Sequence, residues 1–235
     1  MGYDIINDMR KMAIFDVDGT IFRSSLLIEL TEMMIEEGIW EPEVKLGYKK
    51  EADAWIDRKG SYEDYIKQLI DVFMVNIKGV RYVDFDKVVN KVIKKCESRV
   101  YVYTRELVKE LKKKKYFLLA ISQSPKAILD PFCGKLGFDK IYGRFYELGP
   151  GDRFTGAVTD EHLISNKANI VRRVLEKEKL TLKGSIGVGD TEGDFSFLEL
   201  VEHPICFNPN AKLFRHAKRN KWQVVVERKD VIYEI

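Results

Sequence analysis

Met12-Ala13-Ile14-Phe15-Asp16-Val17-Asp18-Gly19-Thr20 is the stretch on which the fold turns. Met12 to Phe15 are continuously apolar, the pattern of a short strand buried on both faces of a parallel sheet, and Asp18-Gly19 supplies the turn that stops it. The two aspartates therefore stand at a strand's carboxyl end, the edge at which open α/β sheets bind their ligands. Side chains alternate along a strand, so Asp16 and Asp18 point the same way if the strand runs past Phe15. Like charges crowded at one spot require a shared proton or a bound cation. The competing reading is a plain turn or capping pair.

The rest of the chain decides between them. Its 235 residues accommodate one large domain, or a core with a smaller insertion, and 45% hydrophobic content is ordinary for a globular protein. Forty basic against 37 acidic side chains leave a formal charge of +3, too balanced for a nucleic-acid footprint. The basic run Lys112 to Lys115 reads as the solvated end of a helix, where cations also suit the dipole. Cys96, Cys133 and Cys206 are far apart and odd in number, which fits reduced thiols in a cytoplasmic protein rather than a disulfide framework or a zinc site. Met1 to Lys11 carries Asp4 and Asp8 and no apolar core, so neither a signal peptide nor a membrane span is expected there. His162, His203 and His216 show no ligand spacing.

From Leu26 the pattern becomes helical. Leu26, Leu27, Leu30, Met33 and Met34 form one stripe, and Tyr48, Ala52, Trp55 and Ile56 a second. Ser61-x-x-Asp64 resembles a capping box opening a third helix, and a fourth begins near Asp84. Nothing between 24 and 100 reads as a strand, so these residues are expected to form an all-helical cap inserted into a core built from residues 1–23 and 101–235. After Tyr103 the α/β rhythm returns. Tyr116 to Ile121 is an apolar strand ending at Ser122, and Ser124-Pro125 is expected to cap and open a helix. Ser122 then lies where backbone N–H groups favour an anion, although strand-to-helix loops are rich in serine for other reasons. Residues 142–158 suggest a hairpin or long excursion with no assigned role.

A further helix begins around Ser165-Asn166, with Lys167 in its first turn, where the dipole disfavours a cation. Either Lys167 is exposed and idle, or a buried phosphate or carboxylate holds it. Gly184 to Gly189 delivers another short strand to Asp190 and Asp194. Ile205-Cys206-Phe207 and Trp222 to Val226 read as closing strands around a helix from Ala211 to Asn220. Clustered carboxylates with open positions suit Mg²⁺, which keeps waters and binds through few carboxylates plus substrate phosphate.

In this order, Asp16-Val-Asp-Gly-Thr20, Ser122 after its strand, Lys167 at its helix start and Gly189-Asp-Thr-Glu-Gly-Asp194 resemble the four motifs of haloacid dehalogenase superfamily phosphatases. The helical insertion after the first motif is similar to the cap of the phosphoserine-phosphatase-like branch. The resemblance implies a doubly wound, Rossmann-like parallel α/β core and a Mg²⁺-dependent phosphomonoester hydrolase working on a small phosphorylated metabolite through an aspartyl-phosphate. Asp16 is implied as nucleophile and Asp18 as general acid then base. Ser122, Gln123 and Lys167 are implied on the phosphoryl group. Asp16, the Asp18 carbonyl and Asp190 are implied on the metal, with Asp194 a supporting or metal-ligating acid. The expected partner is a small phosphate ester, with neither nucleic acid nor membrane.

Two departures bear on substrate. Ser25 stands where phosphoserine phosphatases carry a serine-reading glutamate, and Leu69 where their cap arginine aligns. The second motif also reads Ser122-Gln123-Ser124 where theirs continues Ser-Gly-Gly. Phosphoserine phosphatase, a phosphotransferase or phosphomutase with the same chemistry, and a phosphate-ligand-binding protein with residual activity are the alternatives.

Overall fold

The structure is a computed structural model, and it describes residues 9–159 and 166–235. Residues 1–8, His162 and Ser165, on which some expectations above fall, lie outside the described residues. The described residues divide into two compact units: residues 9–25, 98–144 and 166–235 form the first, and residues 26–97 and 145–159 the second.

In the first unit β1 (Lys11–Asp16) is buried from its second residue onward. It pairs in parallel with both β2 (Phe117–Pro125) and β5 (Thr181–Gly189). The first half of β3 (Lys140–Gly149) lies beyond β2, while β6 (His203–Phe207), β7 (Gln223–Arg228) and β8 (Val231–Glu234) extend the sheet beyond β5. All these pairings are parallel except β7 with β8. Strand order therefore runs one way from β1 through β2 and the other way from β5, a reversal that opens a crevice at their carboxyl ends.

Alternation along β1 and β2 sorts the core. Met12, Ile14, Phe117, Leu119 and Ile121 face Ile170, Val171 and Val174 of α7 (Lys167–Glu178) and Phe197 and Leu198 of the short α8 (Phe195–Leu198). Leu213 and Ala217 of α9 (Ala211–Asn220) join the same cluster. Each such side chain taken fully out of water contributes about 1.5–3 kcal/mol. Asp16 shares the parity of Met12 and Ile14, so it points toward α7. Phe15 points the other way and meets Phe138 edge-on at 5.7 Å. Helix starts carry the expected caps on this side: the Asn166 side chain accepts from Ala168 N at 3.0 Å, and that of Asn210 from Leu213 N at 2.9 Å. Between β1 and β2 in the chain lies α5 (Val102–Lys113), whose lysine-rich end is exposed.

The second unit holds α1 (Leu26–Glu36), α2 (Leu46–Ile56), α3 (Tyr62–Ile77) and α4 (Tyr82–Cys96). Ser61 caps α3, its hydroxyl accepting from Asp64 N at 3.1 Å. The unit also takes in a later segment, the second half of β3 with β4 (Arg153–Thr159), which form an antiparallel hairpin. Phe154 exchanges backbone hydrogen bonds with Gly79 and Val80 at 2.8 and 3.0 Å. Phe73 meets Trp40 at 5.2 Å and Tyr146 at 5.4 Å. The 142–158 excursion thus adds Tyr146 and Phe154 to the aromatic side chains of the helices, Phe154 meeting Phe85 at 5.0 Å.

Two local expectations need correction. Ser124 does not cap the helix that follows: β2 continues to Pro125, which is itself the N-cap residue of α6 (Lys126–Leu136) and makes no side-chain cap bond. The strand β8, against β7 at the sheet's edge, was not foreseen, because the Lys229-Asp230 turn lacks a glycine and Lys229 takes the positive φ of 55° itself. Among the described residues no helix is long and apolar enough to cross a membrane.

Candidate active site

β1 ends on Asp16, which is 6% exposed. Lys167, the first residue of α7 and likewise buried, places its ammonium 2.6 Å from Asp16 Oδ1 and 2.6 Å from Asp194 Oδ1. The cation at an unfavourable helix end is thereby explained: two carboxylates hold it. Asp194 serves two masters, since its Oδ2 accepts from Asp190 N at 2.9 Å and Thr191 N at 3.1 Å, fixing the loop after β5. Gly189 allows that approach, as a Cβ there would lie 2.6 Å from the Asp194 carboxylate.

Asp190 lies close to both Asp16 and Asp194. One of its oxygens accepts from Thr20 Oγ1 at 3.3 Å, and Thr20 is tied in turn by Thr104, whose hydroxyl donates to the Thr20 carbonyl at 2.9 Å. The other oxygen lies against Gly19, where a Cβ would come within 2.2 Å of it. Gly19 also has a φ of 82°, so glycine is required here on both counts.

Ligand oxygens of Asp16, Asp190 and Asp194 all lie within 4.8 Å of one another. Three carboxylates against one ammonium leave a surplus of two negative charges. Burial first, and then Asp194 and Asp18 nearby, push Asp16 up to about 7, although Lys167 pulls the other way. Asp190 is driven well above the ordinary carboxylate range by burial and by Asp16 and Asp194. Lys167 moves upward as well: burial opposes its charge, but Asp16 and Asp194 outweigh that, and it stays an ammonium. Asp16 Oδ2 is buried with no hydrogen-bond partner. An orphaned carboxylate oxygen inside an all-oxygen set with surplus negative charge is what a hard divalent cation neutralises.

Asp18 lies past the strand end, in the turn. Its Oδ2 accepts from the hydroxyls of both Ser122 and Ser124, the latter at 2.8 Å. Ser122 is fully buried, and its Oγ also accepts from Ser124 N at 2.8 Å. Gln123 turns elsewhere, its Oε1 accepting from Arg144 Nε at 3.1 Å. All seven residues singled out in the sequence lie on the carboxyl side of β1, β2 and β5 or at the start of α7. Reading by motif missed Ser124, Thr20 and Arg144. A second serine two residues after Ser122 was visible as a signal; Arg144, in register beside Pro125 on the neighbouring strand, was not. His216 is stacked on Phe195 at 4.5 Å.

A phosphoserine phosphatase of Archaeoglobus fulgidus is 25% identical over 207 residues, 88% of this chain and 55% of its own length. A histidinol-phosphatase of Neisseria meningitidis serogroup C is 30% identical over 111 residues, 46% of this chain and 50% of its own. The chain thus spans about half the length of these curated relatives. A solved structure of a phospho-aspartyl intermediate analogue of phosphoserine phosphatase superposes with a TM-score of 0.63 at 22% identity, covering 95% of this chain and 96% of the other, and shares the fold. The family profile of haloacid dehalogenase-like hydrolases matches residues 13–199, from β1 through the loop that carries Asp190 and Asp194, and the chain belongs to that family.

Proposed function

We propose that the chain is a Mg²⁺-dependent phosphomonoester hydrolase for a small phosphorylated metabolite, with Asp16 as nucleophile. The observation that carries this reading is the state of Asp16: one oxygen on Lys167, the other buried without a partner, among acids carrying surplus charge. Asp16, Asp190 and the Asp18 carbonyl would hold the cation. When bound, Mg²⁺ supplies positive charge to the phosphoryl oxygens and keeps Asp16 ionised at neutral pH.

The residues of the chain do the rest. An Asp16 carboxylate oxygen attacks phosphorus, the bond from phosphorus to the ester oxygen breaks, and that oxygen takes a proton from the Asp18 carboxyl. The Asp18 carboxylate then removes a proton from water, whose oxygen attacks phosphorus. The bond from phosphorus to Asp16 breaks, releasing phosphate. Lys167 stands beside the nucleophile, where its charge offsets that of the phosphoryl oxygens, and Ser122 Oγ–H supplies a hydrogen bond to one of them. Asp194 acts by holding Lys167 and the Asp190 loop.

The names of the relatives, phosphoserine phosphatase and histidinol-phosphatase, support a small phosphate ester as the substrate class. The test is release of inorganic phosphate from para-nitrophenyl phosphate and a panel of phosphometabolites by purified protein with Mg²⁺ and no added acceptor. Phosphate release is expected. A protein that binds phosphate esters but turns none over, or transfers phosphate only to an added acceptor, overturns the reading.

A further inference from the structure

The loop after β5 carries Asp190 and Asp194, and the start of α9 is bonded to it. Asn210, the N-cap residue of α9, donates its backbone N–H to the Asp190 carbonyl at 2.8 Å, while the Asp190 N–H goes to Asp194 Oδ2 at 2.9 Å. The Asn210 side chain reaches two residues further along the loop, its Nδ2 donating to Glu192 Oε2. Glu192 opens the turn Glu192–Asp194, and its other oxygen accepts from Lys212 Nζ at 2.6 Å. We propose that Asn210 is a positioning residue for the cation site: by tying both Asp190 and Glu192 to α9, it sets where the Asp190 carboxylate stands. The inference rests on the reading of Asp190 as a cation ligand given above.

The helix fixes which way the Asn210 amide points. Its Oδ1 accepts from Leu213 N at 2.9 Å, the bond that caps α9. A backbone N–H only donates, so the amide oxygen is at that end and the NH₂ group is left for Glu192. The two ends thus do separate work, one capping the helix and the other bonding the loop. Lys212 shares Glu192, but its side chain is 63% exposed against 18% for Glu192, and an ion pair so open to water contributes little. Asn210 is therefore the stronger of these two ties. A single bond at the Asp190 carbonyl is a pivot; the second, at Glu192, stops the loop turning about it. The contacts of the Asp190 carboxylate with Thr20 and Gly19 orient the side chain but not the peptide that carries it. Mg²⁺ accepts only near-ideal octahedral geometry, and removing groups that orient a metal ligand typically costs about 10–100-fold in affinity. Asn210 acts through the backbone and not on the ligand oxygen, so its effect belongs near the lower end of that range.

The two ends of the amide can be changed separately. Asn210→Ser and Asn210→Asp keep an N-cap acceptor of about equal quality and lose the donor to Glu192. Asn210→Asp combined with Glu192→Gln restores the bond with its polarity reversed, the Gln amide donating to the carboxylate while its oxygen stays on Lys212, and leaves the net charge unchanged. Mg²⁺ affinity is read without substrate, from the rise in Tm with Mg²⁺ concentration above an EDTA baseline. Both single variants are expected to weaken Mg²⁺ binding about fivefold or more, and the double variant to return to within about twofold of wild type. A capping role alone would leave all three at wild-type affinity, and added negative charge alone would make Asn210→Asp bind Mg²⁺ more tightly. Either result overturns the proposal, as does a double variant no better than Asn210→Asp. Should Asn210→Asp not fold, Asn210→Ser carries the test by itself. Asp190→Asn is run beside them. If it keeps the full Mg²⁺ shift, the assignment of Asp190 to the cation falls and the inference with it; if it loses the shift while the Asn210 variants bind as wild type does, the inference alone falls.

Discussion

Lys167 Nζ lies 2.6 Å from Asp16 Oδ1, so a helix begins with a buried ammonium bonded to the last residue of a strand 151 positions earlier. Asp194 completes the clamp. Removing one member of a buried ion pair leaves the others uncompensated, at a cost of about 3–5 kcal/mol. Lys167→Ala is expected to lower both stability and kcat/KM, the stability loss being largest in metal-free buffer at neutral pH and smaller with Mg²⁺. Urea unfolding with EDTA and with Mg²⁺ checks this, and a wild-type midpoint in EDTA would contradict the clamp.

Asp16→Asn should give the opposite sign for stability. The substitution is nearly isosteric and removes one negative charge from a set that carries a surplus, while ending turnover, because an amide cannot form the acyl-phosphate. Without metal the variant is expected to melt no lower than wild type. It should also lose most of the Mg²⁺-induced increase in Tm. A full Mg²⁺ shift in this variant would remove Asp16 from the ligand set.

The raised Asp16 gives a pH dependence whose sign can be worked out. The unfolded carboxylate gives up its proton near 3.8, the folded one only at about 7. Between those values the native state binds more protons than the unfolded chain, so metal-free stability falls as pH rises through the window and levels off above it. Asp190 is shifted in the same direction. Mg²⁺ competes with those protons, so its stabilising effect is small at pH 5 and grows toward pH 8, reaching about 2.7 kcal/mol at a hundredfold excess over Kd. Thermal melts across this range, with Mg²⁺ and with EDTA, are the measurement. A Mg²⁺ increment independent of pH would show that the cation does not bind where Asp16 holds its proton.

How far the sequence foretold this site varies with the kind of signal each residue gives. Asp16 was legible because apolar runs that end in acids are rare, and the mismatch of Lys167 with its helix dipole left an idle surface lysine or a buried phosphate or carboxylate partner, of which the structure supplies two carboxylates. The parallel core followed from short apolar runs punctuated by turns: the runs at 116–121 and 184–189 overlap the longer strands observed at 117–125 and 181–189. Ser124 was misread as a cap because Ser-Pro is a common helix opening; a charged acceptor nearby in space, Asp18, outcompetes that local preference. The hairpin of β3 and β4 could be seen but not placed, since what it packs against, Phe73, Gly79 and Val80, lies about seventy residues earlier and leaves no local trace.

Substrate choice yields the last prediction: phosphoserine should have a kcat/KM about tenfold or more below that of the best compound in a phosphometabolite panel, a difference of about 1.4 kcal/mol. Free phosphoserine carries an ammonium and a carboxylate, and each left unpaired in a site that excludes water costs several kcal/mol, on the order given for buried ions. Ser25 is neutral and only 3% exposed, so it offers no charge to the ammonium. Leu69 is fully buried within α3, where it packs rather than pairs. Glu29, four positions after Ser25, accepts from Cys96 Sγ at 3.5 Å, and Arg58 lies over the Trp55 ring at 5.9 Å, so both charges have neighbours of their own. Phosphoserine is to be compared, with Mg²⁺ present, against histidinol phosphate, sugar phosphates, glycerol phosphates and nucleotides. If phosphoserine leads the panel by tenfold, the departures at Ser25 and Leu69 do not govern recognition, and Glu29→Gln becomes the variant that must lose it.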